Sequence, residues 1–377
     1  MKAYINGRVF DGKKILENTI VLVENEKIKA VSEKENLPTG CEIINLQGNL
    51  LAPAFIDLQI YGGNSFFFGE FPSVEALEAT YAYCLAGGAA HFMPTVATHS
   101  EKIMMDAIEA VRAYWAKGGK GVLGLHLEGP YINTVKRGAH LVEHIKNNPT
   151  IADIKTWLTR GKGIVKIMTL APEVCTTEII NLLQTNGVLV SAGHSNATYS
   201  QATTAFNNGI NLATHLFNAM SPLQHREVGM VGAIFEHPKV NVSLVADGYH
   251  VDFAAIRIAK KILGARLFLI TDAVTENINV QKNSEGVLTQ PRYTHQLHGE
   301  KYIIADGTLS GSALTMAHAV KNCVEKAHIV LEEALRMASL YPAKIMGLDK
   351  QIGRIKKGFA ADFVVLNSEL LVMSNEL

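Results

Sequence analysis

V-L-G-L-H-L-E, residues 122–128, is a short apolar run that closes on a carboxylate. Seven further runs of this kind follow residue 53: Ala54–Ile60, His91–Thr95, Ile164–Leu170, Val188–His194, Asn211–His215, Val240–Asp247 and Leu267–Asp272. Amphipathic stretches separate them. In Ser100–Lys117, the residues Met104, Ala107, Ile108, Val111, Tyr114 and Trp115 recur at helical spacing behind Ser100 as N-cap. Asn196–Asn208 and Val251–Leu263 repeat the pattern. Strands alternating with helices predict right-handed βαβ units and a parallel sheet, and eight such units predict a (β/α)8 barrel of the TIM type.

The chain of 377 residues can bury one large barrel domain or several ordinary ones. Its ends read differently from its middle. Lys2–Phe10 alternates, Thr19–Val23 and Ile28–Val31 flank a polar turn at Glu24-Asn25-Glu26, and Ile352–Leu366 again reads as strands. We expect an α/β protein in which a small β-sandwich, built from residues 1–51 and 349–377, frames a metal-dependent catalytic barrel over residues 52–348.

Composition narrows the function. Thirty-five Lys and Arg balance 35 Asp and Glu, charged residues make up 19 % and apolar ones 48 %, so a disordered chain or a polybasic nucleic-acid surface is not expected. The four cysteines, at 41, 84, 175 and 323, form no C-x-x-C pair, which argues against a thiolate zinc ribbon or a disulfide scaffold. The opening M-K-A-Y-I-N-G-R has no apolar signal core, and no uncharged apolar stretch of about 18 residues occurs, so a cytoplasmic protein without a membrane span is expected.

Barrel enzymes place their chemistry at the C-terminal ends of the strands. The residues closing four of the runs are therefore the first candidates: Glu128, His194, His215 and Asp272. One carboxylate and two imidazoles suffice to hold a catalytic Zn²⁺ or similar ion with a position open for water, and Asp272 is left as proton carrier. Further candidates lie in the adjoining loops. Gly138-Ala139-His140 sits in the long polar segment 131–150, which could cover a site. Arg226, His250 and the backbone N–H groups around Asn218 and Ala219 have the chemistry to hold a phosphate, although an isolated Arg226 also reads as a surface ion-pair partner. His91, His99, His144, His237, His295, His298, His318 and His328 are read as ordinary structural histidines.

These residues resemble a known family. P-A-F-I-D-L-Q-I-Y-G-G at 53–63 and I-K-K-G-F-A-A-D-F-V-V-L at 355–366 are similar to sequences across the amidohydrolase superfamily. Together with G-G-A-A-H-F-M-P-T at 87–95, L-E-G-P-Y-I-N at 127–133, G-A-H at 138–140, A-G-H-S-N-A at 192–197, T-H-L-F-N-A-M at 214–220, D-G-Y-H at 247–250, T-D-A at 271–273 and D-G-T-L-S-G-S at 306–312 they resemble its N-acetylglucosamine-6-phosphate deacetylases, for which L-E-G-P and T-H-L-F-N-A-M are much the more specific. The resemblance covers essentially the whole chain.

It implies that Glu128, His194 and His215 bind one divalent ion per subunit (zinc first, with iron, cobalt or manganese as alternatives) and that Asp272 is the general base. It further implies that His140 meets the sugar or its acetyl carbonyl, and that Asn218, Ala219, Arg226 and His250 hold a sugar phosphate. Ala139 and Leu309 are further substrate contacts by the same resemblance. The subunits are expected to form a homodimer or higher oligomer, with His250 serving its own site or its neighbour's. The implied reaction converts N-acetyl-D-glucosamine 6-phosphate to D-glucosamine 6-phosphate and acetate.

Two departures stand out. Gln59 and Tyr61 replace the His-x-His that many amidohydrolases carry at the end of the first strand, which deprives a second metal of its imidazoles, and Ala54 replaces a glycine. Another amidohydrolase reaction, such as cyclic-amide opening or heterocycle deamination, is the main alternative, and an inactive barrel scaffold is the other.

Overall fold

The computed structural model describes residues 1–33, 37–276 and 292–376. Eight parallel strands lie side by side in sequence order: Phe55–Ile60, Ala89–Ala97, Leu125–Glu128, Val165–Leu170, Leu189–Ala192, Leu212–Ala213, Asn241–Val245 and Leu267–Ile270. The sheet closes on itself. Ile60 and Ala273 form a parallel bridge, the Asp272 N–H donates to the Gln59 carbonyl at 3.0 Å, and the Tyr61 N–H donates to the Ala273 carbonyl at 2.9 Å. The expected barrel is therefore present. Its sixth strand keeps only two residues of the run 211–215, because the chain turns out of the sheet at Thr214 to present His215.

The helices follow their sequence signals. Glu101–Ala116 starts on the Ser100 cap, whose hydroxyl accepts from the Ile103 N–H, and it buries Met104, Ala107, Ile108, Val111 and Tyr114 as the spacing required. Tyr199–Asn207 begins with a capping box between Thr198 and Gln201, and Phe253–Leu263 begins on Asp252.

The chain divides into two compact units: Met1–Asp57 with Cys84–His91 and Thr315–Leu377, and Leu58–Tyr83 with Phe92–Leu314. In the first unit two sheets pack face to face. One contains Lys2–Ile5, Thr19–Glu24, Lys27–Glu33 and Glu42–Asn45; the other joins Arg8–Phe10, Ile15–Leu16 and Leu50–Pro53 to the C-terminal Phe363–Leu366 and Val372–Glu376. Tyr4, Val21 and Ile28 of the first sheet share a buried core with Val9, Leu51, Phe363 and Val365 of the second, and Tyr4 meets Phe363 edge-on at 5.3 Å. Both ends of the chain thus build one sandwich. His91, in the same unit, pairs with Asp362 at 2.9 Å and is structural.

Candidate metal centre and active site

Glu128 ends the third strand, His194 and His215 stand just past the fifth and sixth, and Asp272 follows the eighth. His194, His215 and Asp272 adopt left-handed backbone, with φ of 48°, 37° and 55°. Side chains with a Cβ enter this region at a cost, so the surrounding structure must impose it, as is common where reactive groups are aimed. Gly311 shows one such constraint. A Cβ there would lie 2.4 Å from the Asp272 carbonyl oxygen, and the next residue, Ser312, donates its N–H to that same oxygen at 2.8 Å.

The three expected ligands converge. Glu128 Oε1 lies 3.3 Å from His194 Nε2 and 3.1 Å from His215 Nε2, and the two imidazole nitrogens are 3.1 Å apart. All three side chains are buried. The other nitrogen of each ring is already engaged: His194 Nδ1 donates to the Lys136 carbonyl at 2.9 Å and His215 Nδ1 to the Asn218 carbonyl at 3.1 Å. A carbonyl only accepts, so each Nδ1 carries the proton and each Nε2 presents a lone pair. Two lone pairs and a carboxylate oxygen facing one another favour a cation between them, and this donor set suits a divalent ion of the zinc type.

Glu128 is also met by donors. Gln59 Nε2 lies 2.6 Å from Asp272 Oδ1, 3.1 Å from Glu128 Oε1 and 3.0 Å from the Tyr61 hydroxyl, while that hydroxyl donates to Glu128 Oε2. An amide N–H₂ and a phenol occupy the places where a second metal would need lone pairs. Elemental analysis of the purified protein should accordingly find one tightly held divalent ion per subunit, and two ions at full activity would contradict this arrangement.

His140 completes the wall. The Thr98 N–H donates to its Nδ1 at 3.1 Å, which puts the proton on Nε2, 3.4 Å from Glu128 Oε2. Burial lowers its pKa to about 4, so it is a neutral donor at physiological pH. Burial pushes the Asp272 carboxyl above its ordinary value, and the nearby Glu128 charge adds to that. The loop 131–150 is pinned rather than loose at these points, since the Asn133 N–H donates to the His194 carbonyl at 2.9 Å and Lys136 holds the His194 ring.

A cavity of about 160 Å³ opens over this centre. Ala139, His140, Asn218, Ala219, His250 and Leu309 all line it together with the three ligands and Asp272. Gln59 lies beneath, buried, and reaches the site through its amide. Arg226 is the exception among the candidates: it is exposed and does not line the cavity.

His250 has a different posture from a free phosphate ligand. Its Nδ1 donates to Asp247 Oδ2 and its Nε2 to the Ser310 carbonyl, both at 2.6 Å, so the ring is an imidazolium with both N–H groups spent. Burial alone would lower its pKa, yet Asp247 raises it above the ordinary histidine value, while Asp247, also buried, is held below its own ordinary value by His250. The pair stabilises the fold most between about pH 4 and 6.5. That contribution is lost as pH rises through the raised His250 value and as pH falls through the depressed Asp247 value. The Tm gap between wild type and Asp247→Asn should therefore be largest near pH 6 and narrow towards pH 9; a gap independent of pH would contradict a charged pair.

Comparison with known proteins places this centre. Residues 50–376 match the amidohydrolase family, and residues 1–51 match the NagA composite domain. N-acetylglucosamine-6-phosphate deacetylase of Haemophilus influenzae is 36 % identical over 372 residues, covering 98 % of this chain and 96 % of the relative. The chain belongs to the N-acetylglucosamine-6-phosphate deacetylase family of amidohydrolases. The crystal structure of the Pasteurella multocida deacetylase has a TM-score of 0.93 at 35 % identity, covering 100 % of this chain and 98 % of that one. N-acetylgalactosamine-6-phosphate deacetylase of Escherichia coli O157:H7 is also similar, at 33 % identity over 89 % of this chain and 88 % of its own. Membership agrees with the geometry, since amidohydrolases work with a metal and this chain presents a buried Glu-His-His set.

Sequence reasoning missed part of this family member's site. Phe67, Tyr293 and His295 also line the cavity, and Tyr61 contributes a hydroxyl at its centre. Tyr61, read from the sequence as a departure from His-x-His, is here a hydrogen-bond donor to Glu128. His295, set aside as ordinary, follows no strand-end pattern and gave no local signal.

Proposed function

We propose that the chain hydrolyses the acetamide of N-acetyl-D-glucosamine 6-phosphate, releasing D-glucosamine 6-phosphate and acetate, with residues 52–348 as catalytic domain. The observation that carries this reading is the meeting of Glu128, His194 and His215 with a separate buried carboxylate, Asp272, joined to Glu128 through the Gln59 amide. Amide hydrolysis needs a nucleophile, a stabilised oxyanion and a proton for the departing nitrogen. Glu128, His194 and His215 would hold a divalent ion, zinc in our reading, which would lower the pKa of water and polarise the carbonyl. Asp272 accepts the proton of the attacking water and delivers it to the sugar nitrogen, while Gln59 holds its carboxylate in place. His140 directs its Nε2–H at the carbonyl oxygen or a sugar hydroxyl, and the Asn218–Ala219 loop and Leu309 seat the sugar.

His250 lines the cavity wall where the phosphate would be held, and would meet it on releasing the Ser310 carbonyl from its Nε2–H. Arg226 is assigned to the same phosphate, reaching it across the subunit contact of a homodimer, because its exposed position leaves the cavity of its own subunit without it. Charge-assisted hydrogen bonds contribute about 1.5–3 kcal/mol each, so Arg226→Ala should lower kcat/KM for the phosphorylated sugar by about one to two orders of magnitude. The unphosphorylated sugar should be unaffected. Equal losses on both would assign Arg226 to the fold instead.

A second substrate reading is favoured by the relative that acts on N-acetylgalactosamine 6-phosphate. Acetate release from the gluco and galacto phosphosugars side by side tests the choice: preference for the gluco epimer supports the proposal, and preference for the galacto epimer replaces it. Among the described residues no helix is long and apolar enough to cross a membrane, and we place the enzyme in the cytoplasm, where phosphorylated sugars are retained.

A further inference from the structure

No residue of the fourth strand, Val165–Leu170, or of the turn Pro172–Val174 after it lines the active-site cavity. That turn nevertheless carries Glu173, whose carboxylate gathers three neutral donors. Oε1 accepts from Asn133 Nδ2 at 3.0 Å and from the Asn196 N–H at 2.7 Å, and Oε2 accepts from the Ser195 hydroxyl at 2.7 Å. Asn133 belongs to the loop after the third strand, while Ser195 and Asn196 directly follow His194 beyond the fifth. One carboxylate thus ties together two loops that meet at a proposed metal ligand.

His194 needs such support, because its backbone is left-handed with φ of 48°. Its carbonyl accepts from the Asn133 N–H and its Nδ1 donates to the Lys136 carbonyl, both at 2.9 Å, so both contacts depend on where Asn133 stands. Asn133 is the N-cap of the turn Thr134–Lys136: its Oδ1 accepts from the Val135 N–H and its carbonyl from the Lys136 N–H, again at 2.9 Å each. With the amide oxygen spent on the cap, the N–H₂ faces Glu173, and the carboxylate fixes the amide plane. Hydrogen bonds to a charged carboxylate are of the strong kind. The same carboxylate holds the chain as it leaves His194, and from there the Ser195 N–H reaches the Ala219 carbonyl at 3.0 Å, next to the Asn218 carbonyl that holds His215.

We propose that Glu173 is a positioning residue for the metal centre: by clamping Asn133, Ser195 and Asn196 it keeps His194 in the conformation that presents Nε2 to the ion, and so sets the affinity of the site. The proposal rests on the reading of Glu128, His194 and His215 as the ligand set. Outer partners that orient a ligand ring are felt in metal binding, because a ring already aimed loses less freedom when the ion arrives. Glu173 itself stands outside the cavity and takes no part in the proton transfers. A carboxylate that merely fastened two loops to the barrel would be felt in stability alone.

Zinc affinity of the full chain, stripped of metal, is measured by competition with a chelator of known affinity, beside the Tm of the stripped protein. Glu173→Ala removes all three acceptor contacts and should weaken zinc binding about 10- to 100-fold. Glu173→Gln keeps one oxygen for Asn133 and Asn196, and Ser195 can turn its hydroxyl to accept from the new amide, so this variant should stay within about 3-fold of wild type. Asn133→Asp keeps the cap oxygen for the Val135 N–H but sets a second carboxylate oxygen against Glu173, and it should lose as much affinity as Glu173→Ala. A lowered Tm with zinc affinity within about 3-fold of wild type in Glu173→Ala and Asn133→Asp would overturn the proposal. So would a Glu173→Gln that falls as far as Glu173→Ala. Should Glu173→Ala not fold, the contrast between Glu173→Gln and Asn133→Asp decides alone: equal affinities in the two overturn the proposal, and a loss confined to Asn133→Asp supports it. A wild type that binds no zinc removes the metal reading and the proposal together, whereas zinc binding that no variant weakens removes the proposal alone.

Discussion

Asp272→Asn should lower kcat at least about 10²-fold while leaving KM and metal content close to wild type. The substitution preserves size and keeps an oxygen that can accept the 2.6 Å hydrogen bond from Gln59 Nε2, but it removes the charge that accepts the water proton. Asp272 is buried beside Glu128 and is not one of the three convergent ligands, so its loss should be felt in turnover and not in ion retention. A variant with near-normal kcat would move the base elsewhere. His140, with its N–H within 3.4 Å of Glu128, would then be the next group to test.

Glu128→Gln should have an effect of similar or larger size by a different route. Glu128 is the only anion in the ligand set, and its two oxygens organise His194, His215, His140, Tyr61 and Gln59. Its carboxylate accepts from the Tyr61 hydroxyl and the Gln59 amide and lies 3.4 Å from His140 Nε2, so the site is built for the charged form. A neutral amide turns one of the two positions into a donor and removes the negative charge facing two lone pairs. The variant should purify with little metal, and activity should fall by more than about 10²-fold, exceeding the 10- to 100-fold typical of losing an outer partner of a ligand. Tyr61→Phe removes one such outer partner and should stay within that smaller range. Full metal content with full activity in Glu128→Gln would show that the ion sits elsewhere.

The parts of this enzyme legible in its sequence are those with a local pattern. The barrel was legible because each strand is a short buried run, and the centre of the site because Glu128, His194, His215 and Asp272 each terminate one. The N-terminal and C-terminal strands were legible as strands, and their common sandwich as an expectation; the pairing of Leu50–Pro53 with Phe363–Leu366 joins segments some 310 residues apart and leaves no mark in either segment alone. The same distance problem hid the aromatic wall. Phe67 comes from the short strand Phe66–Phe67 and Tyr293 and His295 from a segment more than 220 residues later, and only the fold brings their rings within 4.7–5.9 Å. His250 was found by its motif but not in its state: Asp247 is its neighbour in that motif, while the Ser310 carbonyl that uses its second nitrogen comes from the strand Leu309–Ser312, 60 residues on. Arg226 shows the converse: its chemistry suited a phosphate, and the fold leaves it outside its own cavity.

The backbone adds what composition cannot. Three of the four strand-end residues that carry the proposed chemistry are turned into left-handed conformation, and in each case the turn points a side chain into one buried space. That strain is tolerated because neighbouring carbonyls and strands fix it, as the Lys136 and Asn218 carbonyls fix the two rings. Preorganisation of this kind reduces the rearrangement needed when an ion and substrate enter.

The most direct test of the central claim is acetate release from N-acetylglucosamine 6-phosphate by protein stripped of metal with a chelator and then titrated with zinc, iron, cobalt or manganese. The stripped protein should run at background rates, and recovery should saturate at one equivalent of ion per subunit. Full activity in the stripped protein, or recovery that requires two equivalents, would contradict it.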